Sequence, residues 1–145
     1  RGTTRGAFVR AILEGLCYEM YSIVEAMQEL SGQRVESIYT IGGAAKSAFW
    51  MQMKADVTGI PVRSKNVPEA AALGAAMLAG LGAGIYTSPE NAVARVQFDE
   101  YRYAPDAERH GQYMELYETL NRLIYPALRE FNAAVTHAQG TNEVK

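Results

Sequence analysis

The sequence predicts an α/β layered fold with parallel strands, and three observations carry that prediction. Two short runs rich in β-branched residues, 35–41 and 60–65, are each followed by a helical pattern. A glycine pair, Gly42-Gly43, closes the first run where a helix is due to begin. Strands separated by helices need crossover connections, which are right-handed and leave the strands parallel in one sheet with helices packed on it. At 145 residues, 48% hydrophobic and 21% charged, the chain has the apolar content for one globular unit.

The elements follow in order. Thr3 or Thr4 caps a first helix in which Phe8, Ile12, Leu16, Met20, Ile23 and Met27 recur at the spacing of a packed face. It runs for about seven turns and ends near Ser31-Gly32. Residues 35–41 form a short buried strand, stopped by the glycine pair. From Lys46 to Val57, Phe49, Trp50, Met53 and Val57 mark a second helix, with Gly59 as its C-cap and Pro61 preventing continuation. Residues 60–65 make the second strand. Pro68-Glu69 opens a third helix through Ala79, which Gly80, Gly82 and Gly84 bring to an end.

Residues 87–105 read as a looser connection. A final helix carries Tyr113, Leu116, Tyr117, Leu120, Leu123, Ile124, Ala127, Leu128 and Phe131 on one stripe, with a kink expected at Pro126. Residues 137–145 are polar and are expected to form a disordered tail. Two strands make too small a sheet for independent stability, so further strands are expected from polypeptide preceding this stretch.

Composition narrows the partners. Fourteen Lys and Arg against sixteen Asp and Glu leave a formal charge of −2, with no basic run, so neither nucleic acid nor an anionic membrane surface is expected. One cysteine, Cys17, permits no internal disulfide, and no secretory leader pattern is present; the expected compartment is the cytoplasm. The uncharged stretch 70–86 is mostly Ala and Gly and too short to span a bilayer. His110 and His137 lie far apart without an acid arrangement suited to a metal, and Cys17 and Trp50 sit at helical spacing beside apolar neighbours. All four read as structural or solvated.

The stretch that invites chemistry is the glycine turn. At the C-terminal end of a parallel strand, where a helix begins, backbone N–H groups point outward and the helix dipole favours an anion such as a phosphate. Gly42 and Gly43 let the main chain approach a ligand closely, and Ala44 and Ala45 keep the surface low beside it. Ser47, on the first turn, is placed to hydrogen-bond a purine edge or a ribose hydroxyl. The same residues also satisfy a tight strand-to-helix turn with no ligand at all. Neither the P-loop pattern nor G-x-G-x-x-G is present.

"IGGAAKSAFWMQMKADVTGIPV" followed by "EAAALGAAMLAGLGAG" resembles the C-terminal nucleotide-binding domain of the FGGY family of carbohydrate kinases. The upstream "RAILEGLCYEM" and downstream "YAPDAERHGQYMELYETLNRLIYPAL" extend the likeness over roughly residues 2 to 130, the latter being most similar to xylulokinase-type members. The resemblance implies half of an actin-like, ribonuclease-H-like ATPase fold. Residues 1–136 would form a portion of the nucleotide-binding domain, with the sugar-binding domain and the catalytic Asp base elsewhere.

It implies ATP, with magnesium bound through the nucleotide, as the cofactor, a sugar as the substrate, and a homodimer as an allowed assembly. Gly42, Gly43 and Ala44 would line the phosphates and ribose, and Ser47 would face the adenine. Lys46 is either a phosphate contact or a solvated first-turn residue. Ala44 departs from the Gly common at that position, which narrows the space for a close contact. Gly74, inside a helix, costs about 1 kcal/mol against Ala, so close packing or room for the base is needed to account for it.

Glu69 reads as a dipole partner of the third helix, Asp56 as a structural hydrogen-bond acceptor and Glu14 as a tie from the first helix to a neighbour. No residue here is assigned a catalytic role. Two other readings remain open: a non-catalytic adenine-nucleotide regulator of the same fold, and a scaffold whose Tyr-rich last helix docks a partner helix.

Overall fold

The computed structural model describes residues 2–65, 67 and 69–140. Helix α1, Arg5–Ser31, starts where the Thr4 hydroxyl accepts from the Ala7 N–H, and Gly32 closes it in the left-handed conformation at φ 66°. Strand β1, Ile38–Thr40, leads through a 3-10 turn, Gly43–Lys46, into α2, Ala48–Thr58. Gly59 ends α2 at φ 68°, before β2, Val62–Lys65. Helix α3 spans Ala70–Gly82, α4 Pro89–Ala94, β3 Glu100–Tyr103, α5 Ala107–Thr119 and α6 Ile124–Gly140, with a 3-10 turn, Asn121–Leu123, between the last two.

The sheet order is β1-β2-β3. Strands β1 and β2 are parallel as expected, with Ile38 opposite Val62 and Thr40 opposite Ser64. The expectation of parallel strands alone is corrected by β3, which runs antiparallel to β2 with Tyr103 opposite Val62 and Tyr101 opposite Ser64. Its sequence, Glu-Tyr-Arg-Tyr, puts charge on one face and tyrosine on the other, a polar edge strand without an apolar run. The looser connection also holds α4, announced by Ser88-Pro89: the serine hydroxyl caps Asn91 N–H and proline occupies the first helical position.

Helix α2 joins two parts of the core. Met51 and Ala55 pack on Val62 of the sheet, while Met53 and Val57 join Cys17 and Tyr18 of α1 and Tyr113 and Tyr117 of α5; Trp50 touches both groups. Tyr21 and Tyr117 meet edge-on, with ring centres 4.8 Å apart at 84°. Burial pushes the Tyr18 phenol up to about 12.

The apolar stripe read from α1 is the exposed one. Phe8, Ile12, Leu16, Ile23 and Met27 are 50–63% exposed, and Cys17, Tyr18 and Val24 on the opposite side form the contact. Two apolar faces share this helix, and periodicity alone favours the longer aliphatic one.

The single final helix is corrected to two. The chain breaks at Leu120 (φ −125°, ψ −54°), and Pro126 falls in the first turn of α6, where its missing N–H has no intrahelical partner to lose, so no kink is needed there. The Tyr113 and Tyr117 side chains face α1 and are not free for a partner helix. Backbone of α6 continues to Gly140, into the stretch expected to be disordered, and 141–145 lie outside the described residues, as does Pro68. Gly80 and Gly82 lie within α3 and only Gly84, at φ 73°, marks its exit; Gly80 is required because a Cβ there would run into the Tyr86 ring.

Candidate functional site

The turn after β1 begins with Gly42, whose φ of 85° and ψ of −165° suit almost no residue but glycine. Gly43 then opens the 3-10 turn, which takes in Lys46, so α2 itself starts at Ala48 and not at Lys46 as the sequence pattern implies. Ala45 is buried, and the Ser64 hydroxyl, 1% exposed on β2, donates to the Ala45 carbonyl at 3.3 Å. That bond fastens the loop to the neighbouring strand. Ser47 caps α2, its Oγ accepting from Trp50 N–H at 3.3 Å. The hydroxyl proton remains available to donate to something outside the chain.

A cleft of about 330 Å³ opens beside this turn, lined by Gly42, Ala45, Lys46 and Ala48 on one side and Lys65, Val67, Tyr101 and Tyr103 on the other. Of the residues singled out from sequence, Gly42, Ala45 and Lys46 line it directly. Gly43, Ala44 and Ser47 belong to the same turn but not to the lining, and Gly74 is not part of it. Lys46 is exposed and makes no ion pair among the described residues. Tyr101 and Tyr103 were missed with β3; the Glu-Tyr-Arg-Tyr alternation was the available signal.

The three glycines differ in what they need. Gly42 is explained by its own backbone. Gly43 has no positive φ, and nothing among the described residues lies within 4 Å of where its Cβ would stand, so neither conformation nor their packing demands glycine there. Gly74 is likewise uncrowded, so close packing within the described residues does not account for it. Open space over Gly43 fits a ligand that lies against the main chain. Glu69, at the N-cap of α3, makes no side-chain capping bond.

The far end of α2 is held by a buried carboxylate. Asp56, 2% exposed, accepts from Gln52 Nε2 at 2.8 Å, from the Asp106 backbone N–H at 2.9 Å and from Arg109 Nη1 at 3.2 Å. Gln52 also donates to the Ala104 carbonyl at 2.8 Å. Asp56 is therefore a structural acceptor, as expected. His110 sits 3.0 Å from the Asp56 carbonyl with its ring over Gly59, a packing role. Glu14 ties α1 to α5 by accepting from the Tyr113 hydroxyl at 3.3 Å, and it also accepts from Arg10 of its own helix at 2.7 Å. Among the described residues no group of three His, Cys, Asp or Glu is placed to hold a metal, and no helix is long and apolar enough to cross a membrane.

A strand, glycine turn and capped helix stand beside a cleft at the end of an α/β sheet, and comparison with known proteins identifies the family. The chain belongs to the FGGY family of carbohydrate kinases: the family's C-terminal domain matches residues 1–83. It is 40% identical over 125 residues to glycerol kinase 2 of Thermotoga maritima, covering 84% of this chain and 25% of that protein. It is 34% identical over 131 residues to xylulose kinase of Staphylococcus epidermidis, covering 90% and 26%.

The crystal structure of xylulose kinase from Rhodospirillum rubrum superposes with a TM-score of 0.68 at 29% identity, over 88% of this chain and 26% of that one. That of Plasmodium falciparum glycerol kinase with ADP gives 0.63 at 26% identity, over 84% and 26%. The fold is thus part of the actin-like ATPase fold of these sugar kinases. The chain spans about a quarter of the length of the relatives it matches.

Proposed function

We propose that this chain forms the adenosine side of the ATP site in a sugar kinase that transfers the γ-phosphate to a hydroxyl of a ketopentose or related sugar. The observation that carries the reading is Gly43, a glycine that the chain's own backbone and packing leave unexplained. Gly42, Gly43 and Ala44 run along the phosphates and ribose, Ser47 offers its hydroxyl proton to the adenine, and Gly74 leaves room for the base. Lys46, exposed at the cleft, is the residue on this turn able to offset phosphate charge. ATP with magnesium supplies the activated phosphoryl group when bound.

Residues 1–136 act as the nucleotide-binding portion. The sugar site and the base belong to polypeptide outside the chain, and the expected compartment is the cytoplasm. Support for the nucleotide comes from the ADP named with the Plasmodium falciparum glycerol kinase. Support for a ketopentose comes from the xylulose kinases among the relatives, and glycerol is the rival acceptor because glycerol kinases match as well.

The test is calorimetric titration of ATP and ADP, with magnesium, into the full-length protein and its Gly43→Val variant. Affinity is expected to fall at least about 10-fold, or roughly 1.4 kcal/mol, with the unfolding midpoint unchanged. Equal affinity in both proteins would remove the turn from the nucleotide site. Turnover of xylulose set against glycerol then separates the two acceptors.

A further inference from the structure

The glycine turn has little of its own to hold it still. Its internal bonds run from Ala45 N–H to the Gly42 carbonyl and from Ser47 N–H to the Ala44 carbonyl, both at 3.2 Å. Gly43 and Lys46 are exposed and Ala44 is half-buried, so Ala45 is the residue through which the turn meets the interior. Two consecutive glycines add backbone freedom that a ligand lying on the main chain has to remove. Among the described residues, the hydrogen bond that reaches residues 43–46 from another strand comes from Ser64. Ser64 stands on β2 between Thr40 of β1 and Tyr101 of β3, and ladders on both sides fix its backbone. It alternates with Val62 on the buried face of β2, the two being 1% and 0% exposed. The packing of Met51 and Ala55 on Val62 needs no hydroxyl beside it. A buried hydroxyl is costly unless it is bonded, and this one is given to the Ala45 carbonyl at 3.3 Å.

We propose that Ser64 is a positioning residue for the nucleotide: by holding the Ala45 carbonyl it presets the main chain of Gly42, Gly43 and Ala44, and so sets ATP affinity without touching ATP. The inference rests on the nucleotide reading of the turn. A turn already ordered in its bound form costs less to bind, because the loss of backbone freedom has been met on folding. Without the hydroxyl, the buried Ala45 carbonyl has lost its donor, and the peptide that joins Ala45 to Lys46 relaxes toward water. That movement displaces Lys46 and frees the glycines before it. The sugar site belongs to other polypeptide, so the effect is confined to the nucleotide.

Threonine and valine are nearly the same shape and differ by a hydroxyl, so Ser64→Thr and Ser64→Val in the full-length protein isolate the bond. Titration of ATP with magnesium, well below each unfolding midpoint, is expected to find Ser64→Thr within about twofold of the parent and Ser64→Val at least about fivefold weaker. The KM for the sugar at saturating ATP should stay within about twofold in both. On the Gly43→Val background, Ser64→Val should weaken ATP no further, because both act on one turn. Equal ATP affinity in the Thr and Val variants, whatever their unfolding midpoints, would overturn the proposal, assign Ser64 to the sheet's stability alone and leave the nucleotide reading standing. Losses that multiply in the double variant would also overturn it. A parent protein that does not bind ATP would overturn both readings together. Ser64→Ala, compared with the parent, gives the same readout if Ser64→Val does not fold.

Discussion

Helices α2 and α3 are of similar length and follow the two parallel strands in the same way, yet one is built into the molecule and the other is not. Over Ala48–Thr58, α2 buries Met51, Met53, Ala55, Asp56, Val57 and Thr58. Over Ala70–Gly82, α3 has no charged residue at all and buries only Gly80. Hydrophobicity therefore does not predict which helix is covered here. The less apolar helix is the one that finds partners, because its amide and carboxylate reach the segment between β3 and α5 while its apolar sides meet both the sheet and α1. A helix apolar all round is of the kind that larger structures bury.

Substitutions at the fastened end of α2 should have the largest effects. Asp56→Ala removes the acceptor shared by Gln52, the Asp106 amide and Arg109, and is expected to lower stability by about 3 kcal/mol in urea unfolding. A loss below about 1 kcal/mol would mean that the contact with α5 is held by the tyrosines alone. Gly59→Ala combines a φ of 68° with a Cβ placed 2.8 Å from the His110 ring, and a loss of about 2 kcal/mol is expected. The double substitution with His110→Ala would recover only the steric part.

Tyr18 sharpens the comparison through pH. Its folded-state phenol is raised to about 12 by burial, against an unfolded value near 10, so the neutral form favours folding. That contribution is complete below pH 10 and is lost as pH rises toward 12. Its hydroxyl has no hydrogen-bond partner among the described residues, so Tyr18→Phe is expected to be neutral or slightly stabilising near pH 7. It should also flatten the decline of the unfolding midpoint above pH 10. The smallest effect is expected on the bare helix: Leu78→Gln, at a position 71% exposed, should change the stability of this chain by less than about 0.5 kcal/mol. A large loss would show that α3 is covered after all.

Much of this was legible in the sequence, and what was not has physical reasons. The first two strands, the glycine turn and the ends of α1 and α2 rest on Thr4, Gly32, Gly42 and Gly59, whose backbone requirements are local. Strand β3 was hidden because an edge strand of Glu-Tyr-Arg-Tyr needs no apolar run, and the cleft wall of Tyr101 and Tyr103 went with it. The break at Leu120 was hidden for the opposite reason: the apolar spacing continues through it without interruption. Periodicity on α1 identified a real face but not which face is covered, since that depends on neighbours and not on the helix. Ser47 was read as a ligand contact, and its cap to Trp50 is the part that local geometry specifies.

The carboxylate at the end of α2 also imposes an order on synthesis. Its partners Asp106 and Arg109 lie about fifty residues downstream. As the chain leaves the ribosome, α2 and the glycine turn emerge long before the residues that neutralise Asp56. Until α5 is made, that end of the helix must stay hydrated, because a carboxylate cannot be withdrawn from water without its donors. The α5 side of α2 closes only when the C-terminal third arrives, so a nascent chain stopped before residue 106 carries the glycine turn on a helix that can pack on α1 and the sheet but is left open at its Asp56 end.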